Sequence, residues 1–221
     1  SVNQDAGFSI MSYTGTGSVE TFAHGLNSAP ELVILRNREV ASNWWVWGEL
    51  LGNNQIMELD TTSAKYNPNG NYHNDTMPTS SVISIGSDGQ VSGNGQSHIC
   101  YAFHSVQGYS KFSSYIGGGS NFPFIYTGFK PAFMMVKRAV GGTGSWAITD
   151  GKRDPFNAVD NYLSANNANA ESDFDHADFL SNGIKFRTNN DGWNLSGDTY
   201  IYMAFASNPL VTSSGVPATA R

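Results

Sequence analysis

The chain has 221 residues, enough for one large domain or two small ones, a net charge of −6, and charge on only 14% of its residues. Its 12 Lys and Arg are scattered, which excludes a nucleic-acid surface, where cations must gather on one face to release counterions. No stretch reaches about eighteen apolar residues, which excludes a membrane-spanning helix and predicts no membrane insertion.

The abundance of Gly, Ser, Asn and Thr with 13% aromatics, and the lack of long helical periodicity, predict an all-β fold. Strands are expected near 8–14, 19–24, 31–37, 44–50 and 56–60. A long loop rich in Asn, Pro and Tyr follows over 61–81, then strands near 82–86 and 98–106. The single Cys100 lies in the last of these, within an apolar run, and reads as a buried, inert thiol. Further strands are expected near 110–116, 122–127, 132–138, 145–149, 183–188 and 199–206. Segment 150–182 reads as a second long loop with acidic residues and one short helical turn. Turns such as Gly15-Thr16-Gly17 and Asn190-Asp191-Gly192 punctuate the strands. The opening Ser1-Val2-Asn3 has no signal-peptide apolar region and predicts a processed chain or a fragment of a longer one.

Residues recur at a fixed shift. Ser12-Tyr13 matches Ser114-Tyr115, Trp44 matches Trp146, and Ile99, Ala102 and Phe103 match Ile201, Ala204 and Phe205, all 102 residues apart. This predicts a β-sandwich architecture built from an internal duplication of about one hundred residues. The expected divisions are a first β repeat over 7–107, a second over 108–208, and a tail over 209–221.

Several blocks carry a family resemblance. Gly108-Tyr109-Ser110-Lys111-Phe112, Phe124 to Pro131, Lys152-Arg153-Asp154-Pro155-Phe156-Asn157, Phe179 to Gly183 and Ile201 to Ala206 stand in order. They resemble a duplicated β-rich domain of marine phage tail-fibre and other virion structural proteins, and the likeness spans about Gly7 to Pro209. The resemblance implies a location in the virus particle, other virion proteins as partners, and a fibre-like homo-oligomer such as a trimer. It supplies no catalytic residues.

No Gly-x-Ser-x-Gly elbow, His-Glu-x-x-His helix or phosphate loop occurs, and His98 faces Tyr200 at its repeat position. The expectation is a non-enzymatic module that binds a host-surface glycan or protein and needs no cofactor, with a capsid decoration protein or a carbohydrate-binding module of a larger depolymerase as the alternatives. Glu171 to Asp178 is the best cation candidate, since Asp173, Asp175 and Asp178 offer oxygens for calcium, while the calcium-like Asn189-Asn190-Asp191-Gly192 reads first as a turn. A solvated acidic loop capping a strand is the preferred reading. In a strand Trp45 and Trp47 share one face, and Trp44 and Val46 the other. Trp44, with its repeat partner Trp146, is expected as the core anchor. Trp45 and Trp47 are then expected as an exposed platform for sugar rings or a neighbouring subunit. Tyr66, Tyr72, His73 and Trp193, in loops and turns, complete the candidate ligand-binding set.

Overall fold

The computed structural model describes residues 1–209. The expected tail therefore lies, after Pro209, outside the described residues. The chain divides into two compact units. One comprises Ser1–Asp60 and Lys65–His104, and the other Thr61–Ala64 and the chain from Ser105 onward. Thr62 joins the second unit because its carbonyl accepts hydrogen bonds from Lys137 Nζ (3.2 Å) and Gly144 N (3.0 Å).

The first unit contains β1 (Val2–Asn3), β2 (Phe8–Thr14), β3 (Glu20–Ala23), β4 (Leu32–Asn37), β5 (Trp45–Trp47), β6 (Met57–Glu58) and β7 (Val82–Ile85). A four-residue helix, α1 (Gly89–Ser92), and β8 (Ser97–Phe103) complete it. Six strands pair antiparallel in the order β1-β2-β8-β4-β5-β6, while β3 and β7 form a separate ribbon. The pairing register puts Val33 opposite both Ala102 and Trp47, and Leu35 opposite both Cys100 and Trp45. Because residues that face each other across strands project to one side, these six side chains share a face. Ile83 and Ile85 of β7 join the same cluster, so the ribbon packs on the large sheet as the second layer of a sandwich. Cys100 is buried within it.

The second unit contains β9 (Ser110–Ile116), β10 (Phe124–Tyr126), β11 (Pro131–Val140), β12 (Ala147–Asp150), β13 (Val159–Ser164), β14 (Ser172–Leu180), β15 (Gly183–Phe186) and β16 (Thr199–Ala206). They form one antiparallel sheet in the order β10-β15-β14-β13-β12-β11-β16-β9. The sheet curls until it nearly closes. Tyr115 on the edge strand β9 lies 5.1 Å, ring to ring, from Phe186 on β15, near the other end of the order. The all-β expectation thus holds for both units.

The two units follow one plan. The order β2-β8-β4-β5-β6 has its counterpart in β9-β16-β11-β12-β13, and β3-β7 in β10-β15. Individual hydrogen bonds recur at the 102-residue shift. Gly15 N donates to Gln96 O as Gly117 N does to Asp198 O. The Tyr13 hydroxyl donates to Val91 O as the Tyr115 hydroxyl does to Trp193 O. Both glycines are needed here: a Cβ on Gly15 would sit 2.5 Å from Gly93 O, and one on Gly117 would sit 2.0 Å from Leu195 O. The units differ where β14 intervenes. In the second unit it joins β15 and β10 to the main sheet, whereas the first unit has no strand there and its ribbon stays separate.

Segment 150–182 is accordingly not one loop, since β13 and β14 both lie inside it. Aspartates are poor strand formers, and three of them within nine residues of β14 mask its apolar alternation. A register shift between Val159 and Asn161, where β13 meets β14, breaks the period further.

Candidate functional site

The tryptophan expectation is reversed. Trp45 and Trp47 are 2% and 1% exposed and belong to the first unit's core, opposite Leu35 and Val33. They form no surface platform. Trp44, expected as the anchor, is half-buried instead, with the Arg36 guanidinium 5.1 Å from its ring centre. The face Trp45 and Trp47 take is decided by the ribbon that covers it, which no local alternation reveals.

The 61–81 segment supplies a lid to that core. Tyr72 packs on Trp45 with ring centres 4.2 Å apart, and buried His73 lies 6.2 Å from Trp47. Burial lowers the His73 pKa, with Asp75 and backbone hydrogen bonds opposing, so the ring is held neutral. Tyr66 is partly exposed, pairs through its backbone with Ile56, and donates its hydroxyl to Glu58 at 2.7 Å. The structure therefore brings Trp45, Trp47, Tyr72 and His73 together, as packing rather than as an open site.

Trp193 is also buried, stacked on His176 at 4.0 Å with Tyr162 edge-on. Its edge borders a polar groove of ≈ 240 Å³ lined by Ser and Asn residues. The calcium expectation fails on geometry. Asp173 and Asp175 are exposed on β14, while Asp178 pairs with Arg187 at 3.0 Å. Among the described residues no three His, Cys, Asp or Glu side chains converge on a point that could hold a metal.

A site that sequence reasoning passed over lies at one end of the second unit's sheet. The turn leaving β12, the residues before β11 and those after β16 enclose a cavity of ≈ 380 Å³. Its position follows from the topology: β11 is hydrogen-bonded to both β12 and β16, so the start of β11 and the ends of its neighbours meet. Gly151 N donates to Ala132 O and Ser207 N to Lys130 O, each at 2.8 Å, which closes the rim.

The turn itself is tied down at several points. Asp150 Oδ1 accepts from Lys152 N (2.9 Å) and Arg153 N (3.0 Å), and its Oδ2 takes Arg153 Nε at 2.9 Å. Arg153 also reaches Glu171, just before β14, at 3.3 Å, so its charge is met by two carboxylates. Asp154 is nearly fully buried and is hydrogen-bonded into the loop. Its oxygens accept from Asp160 N at 3.2 Å, Asn161 N at 2.9 Å and Asn161 Nδ2 at 2.6 Å. Burial by itself would push this carboxyl up, but the hydrogen bonds from Asn161 and Asp160 outweigh it and hold the pKa below the usual aspartate range. Asp154 is thus held as an anion that organises the loop, with three hydrogen bonds from Asn161 and Asp160 on its oxygens.

Between two such clamps sits Phe156. Asp154 holds the loop on one side and Asn157, bonded to the Phe179 backbone, on the other, yet Phe156 is 83% exposed. Leaving a phenyl ring in water forgoes roughly 1.5–3 kcal/mol of burial energy. A ring held out by a rigid loop beside a ligand-sized cavity is positioned to contact something else. Lys130 and Lys152, both exposed, stand on the same rim. The signal for this site in the sequence was one aromatic residue in an otherwise polar turn, Lys152 to Asn157, with no apolar period around it.

Fold and site together define an all-β protein of two like-ordered units, one of which carries a ligand-sized cavity with an aromatic rim. The chain belongs to a family described as a domain of unknown function, DUF7483, whose model matches residues 1–209. No curated protein and no solved structure matches it.

Proposed function

We propose that the chain is a structural protein of a virus particle, a tail-fibre or appendage module that binds the host surface without catalysing a reaction. The observation that carries this reading is Phe156, an exposed ring on a clamped loop beside a cavity whose one carboxylate is already hydrogen-bonded within that loop. Such a site is built to hold rather than to transform, because proton transfer requires a group free to change its protonation state. The likeness of the Lys152–Asn157 and Phe124–Pro131 blocks to phage virion domains supplies the setting. The common strand order of the two units supports an origin in one duplicated domain. Partners on this reading are other virion proteins, a host-surface glycan or protein, and further copies of the chain, with a trimer as the expected assembly.

A second reading, a capsid decoration protein, draws on the edge strand β10, where Phe124 and Tyr126 are exposed on an unpaired edge. Mass spectrometry of purified particles from the virus encoding this chain, with immunogold electron microscopy, tests both. Label on fibres or appendages is the expected result. Label over the capsid shell favours the decoration reading, and absence from particles removes both.

A further inference from the structure

We infer that the cavity beside Phe156 binds an anionic saccharide. The inference deepens the proposed function, and rests on that reading, by naming the ligand class of its site. The argument begins with charge. The chain carries net charge −6, yet this cavity's rim presents Lys130 and Lys152. Among the described residues neither lysine has a carboxylate partner, while Arg153 is held by Asp150 and Glu171. Asp154, held anionic by its hydrogen bonds in the loop, offsets one of the two ammonium charges and leaves the other unbalanced in the lining. The cavity lining is thus left with a net positive charge on an acidic protein, and it favours an anion.

Shape and lining narrow the class. The cavity, ≈ 380 Å³, falls in the range of small-ligand sites. On its rim Phe156 offers a flat apolar face with Pro155 beside it, while Ser207 and Asn208 add a hydroxyl and an amide. A saccharide with an acidic substituent matches each feature. The C–H face of a pyranose ring packs on the phenyl ring. Its hydroxyls meet Ser207 and Asn208, and its carboxylate or sulfate meets the lysines. The first unit has no equivalent. The positions 102 residues before Lys152, Asp154 and Phe156 are Leu50, Gly52 and Asn54, which bring neither ammonium nor ring. Binding is thus expected once per chain, in the second unit.

The test is isothermal titration of the whole chain with three probes at low salt: a galacturonate tetrasaccharide, a chondroitin sulfate tetrasaccharide and neutral cellotetraose. At least one acidic probe is expected to bind with one site per chain, and the neutral probe at least about tenfold more weakly. Which acidic probe prevails separates a carboxylate ligand from a sulfated one. Raising the salt screens exposed charges and is expected to weaken binding about tenfold or more. Phe156→Ala is expected to weaken it about tenfold or more, and Lys130→Gln with Lys152→Gln to abolish it. All three side chains are exposed, so the variants should keep the wild-type melting transition, which circular dichroism verifies. No binding of either acidic probe, equal binding of cellotetraose, or full binding by Phe156→Ala overturns the inference. None of these results bears on whether the protein is found in virus particles, so the two readings fail separately.

Discussion

Asn157 exchanges both hydrogen bonds of its side-chain amide with the backbone of Phe179, Nδ2 donating to the carbonyl at 3.1 Å and Oδ1 accepting from the N–H at 2.9 Å. The amide takes the place of a strand neighbour, pinning the loop that carries Phe156 to β14. Asn157→Ala leaves two backbone groups of a buried residue without partners, at a cost of about 1–3 kcal/mol. Urea denaturation should show that loss, and hydrogen exchange should show faster exchange of the Phe179 amide. An unchanged exchange rate at Phe179 would mean that the clamp does not hold the loop.

Acid should weaken the second unit through the same loop. The carboxyls of Asp150 and Asp154 are both held below the usual range. For Asp150, burial opposes this and is outweighed by hydrogen bonds from Arg153 and Lys152 and by the Arg153 charge. A depressed folded pKa means that the unfolded chain binds more protons once the pH drops below the ordinary aspartate value of about 3.9. The stabilisation is therefore present above that value and lost as the pH falls through the folded pKa. In acid titrations followed by tryptophan fluorescence, Asp150→Asn with Asp154→Asn should show a shallower dependence than wild type. Parallel curves would count against it.

Lys137 gives the opposite sign at the alkaline end. It is fully buried, with Nζ donating to Thr62 O and Arg138 O. Burial, aided by the Arg138 charge, pushes its pKa down to about 8. Between about 8 and the ordinary lysine value of about 10.4 the unfolded chain is protonated and the folded chain is not, so stability rises with pH in that window. Other groups titrate there too, and comparison with Lys137→Met isolates the effect. Wild type should gain on the order of 3 kcal/mol relative to the variant across the window. A constant difference between the two chains would show that Lys137 titrates normally.

The three neighbouring tryptophans should separate sharply on mutation. Trp45→Ala and Trp47→Ala empty core positions and should each cost about 3–5 kcal/mol. Trp44→Ala removes a half-buried ring and its contact with Arg36, worth about 0.5–1 kcal/mol. Thermal melts of the three variants rank them directly, and a Trp44 variant as damaged as the others would contradict the packing described.

Composition and alternation by themselves determined that this chain is all-β, and they placed most strands, because a two-residue period reports burial directly. The 102-residue recurrence of Tyr13 and Tyr115, and of Gly15 and Gly117, was also legible, since each holds a position that tolerates little else. Tertiary structure alone decided which face of Trp45-Val46-Trp47 packs on the β3–β7 ribbon, because both faces of that short strand are apolar. It alone drew β14 out of an acidic stretch, where pairing with β13 and β15 overrides the weak strand preference of aspartate. The Phe156 cavity belongs to the same category. Its walls come from four segments far apart in sequence, Lys130–Ala132, Gly151–Asn157, Phe179 and Ser207–Asn208, and the pairing of β11 with both β12 and β16 brings three of them together. Local pattern records what each residue prefers, whereas a site of this kind exists only once non-neighbouring strands have met.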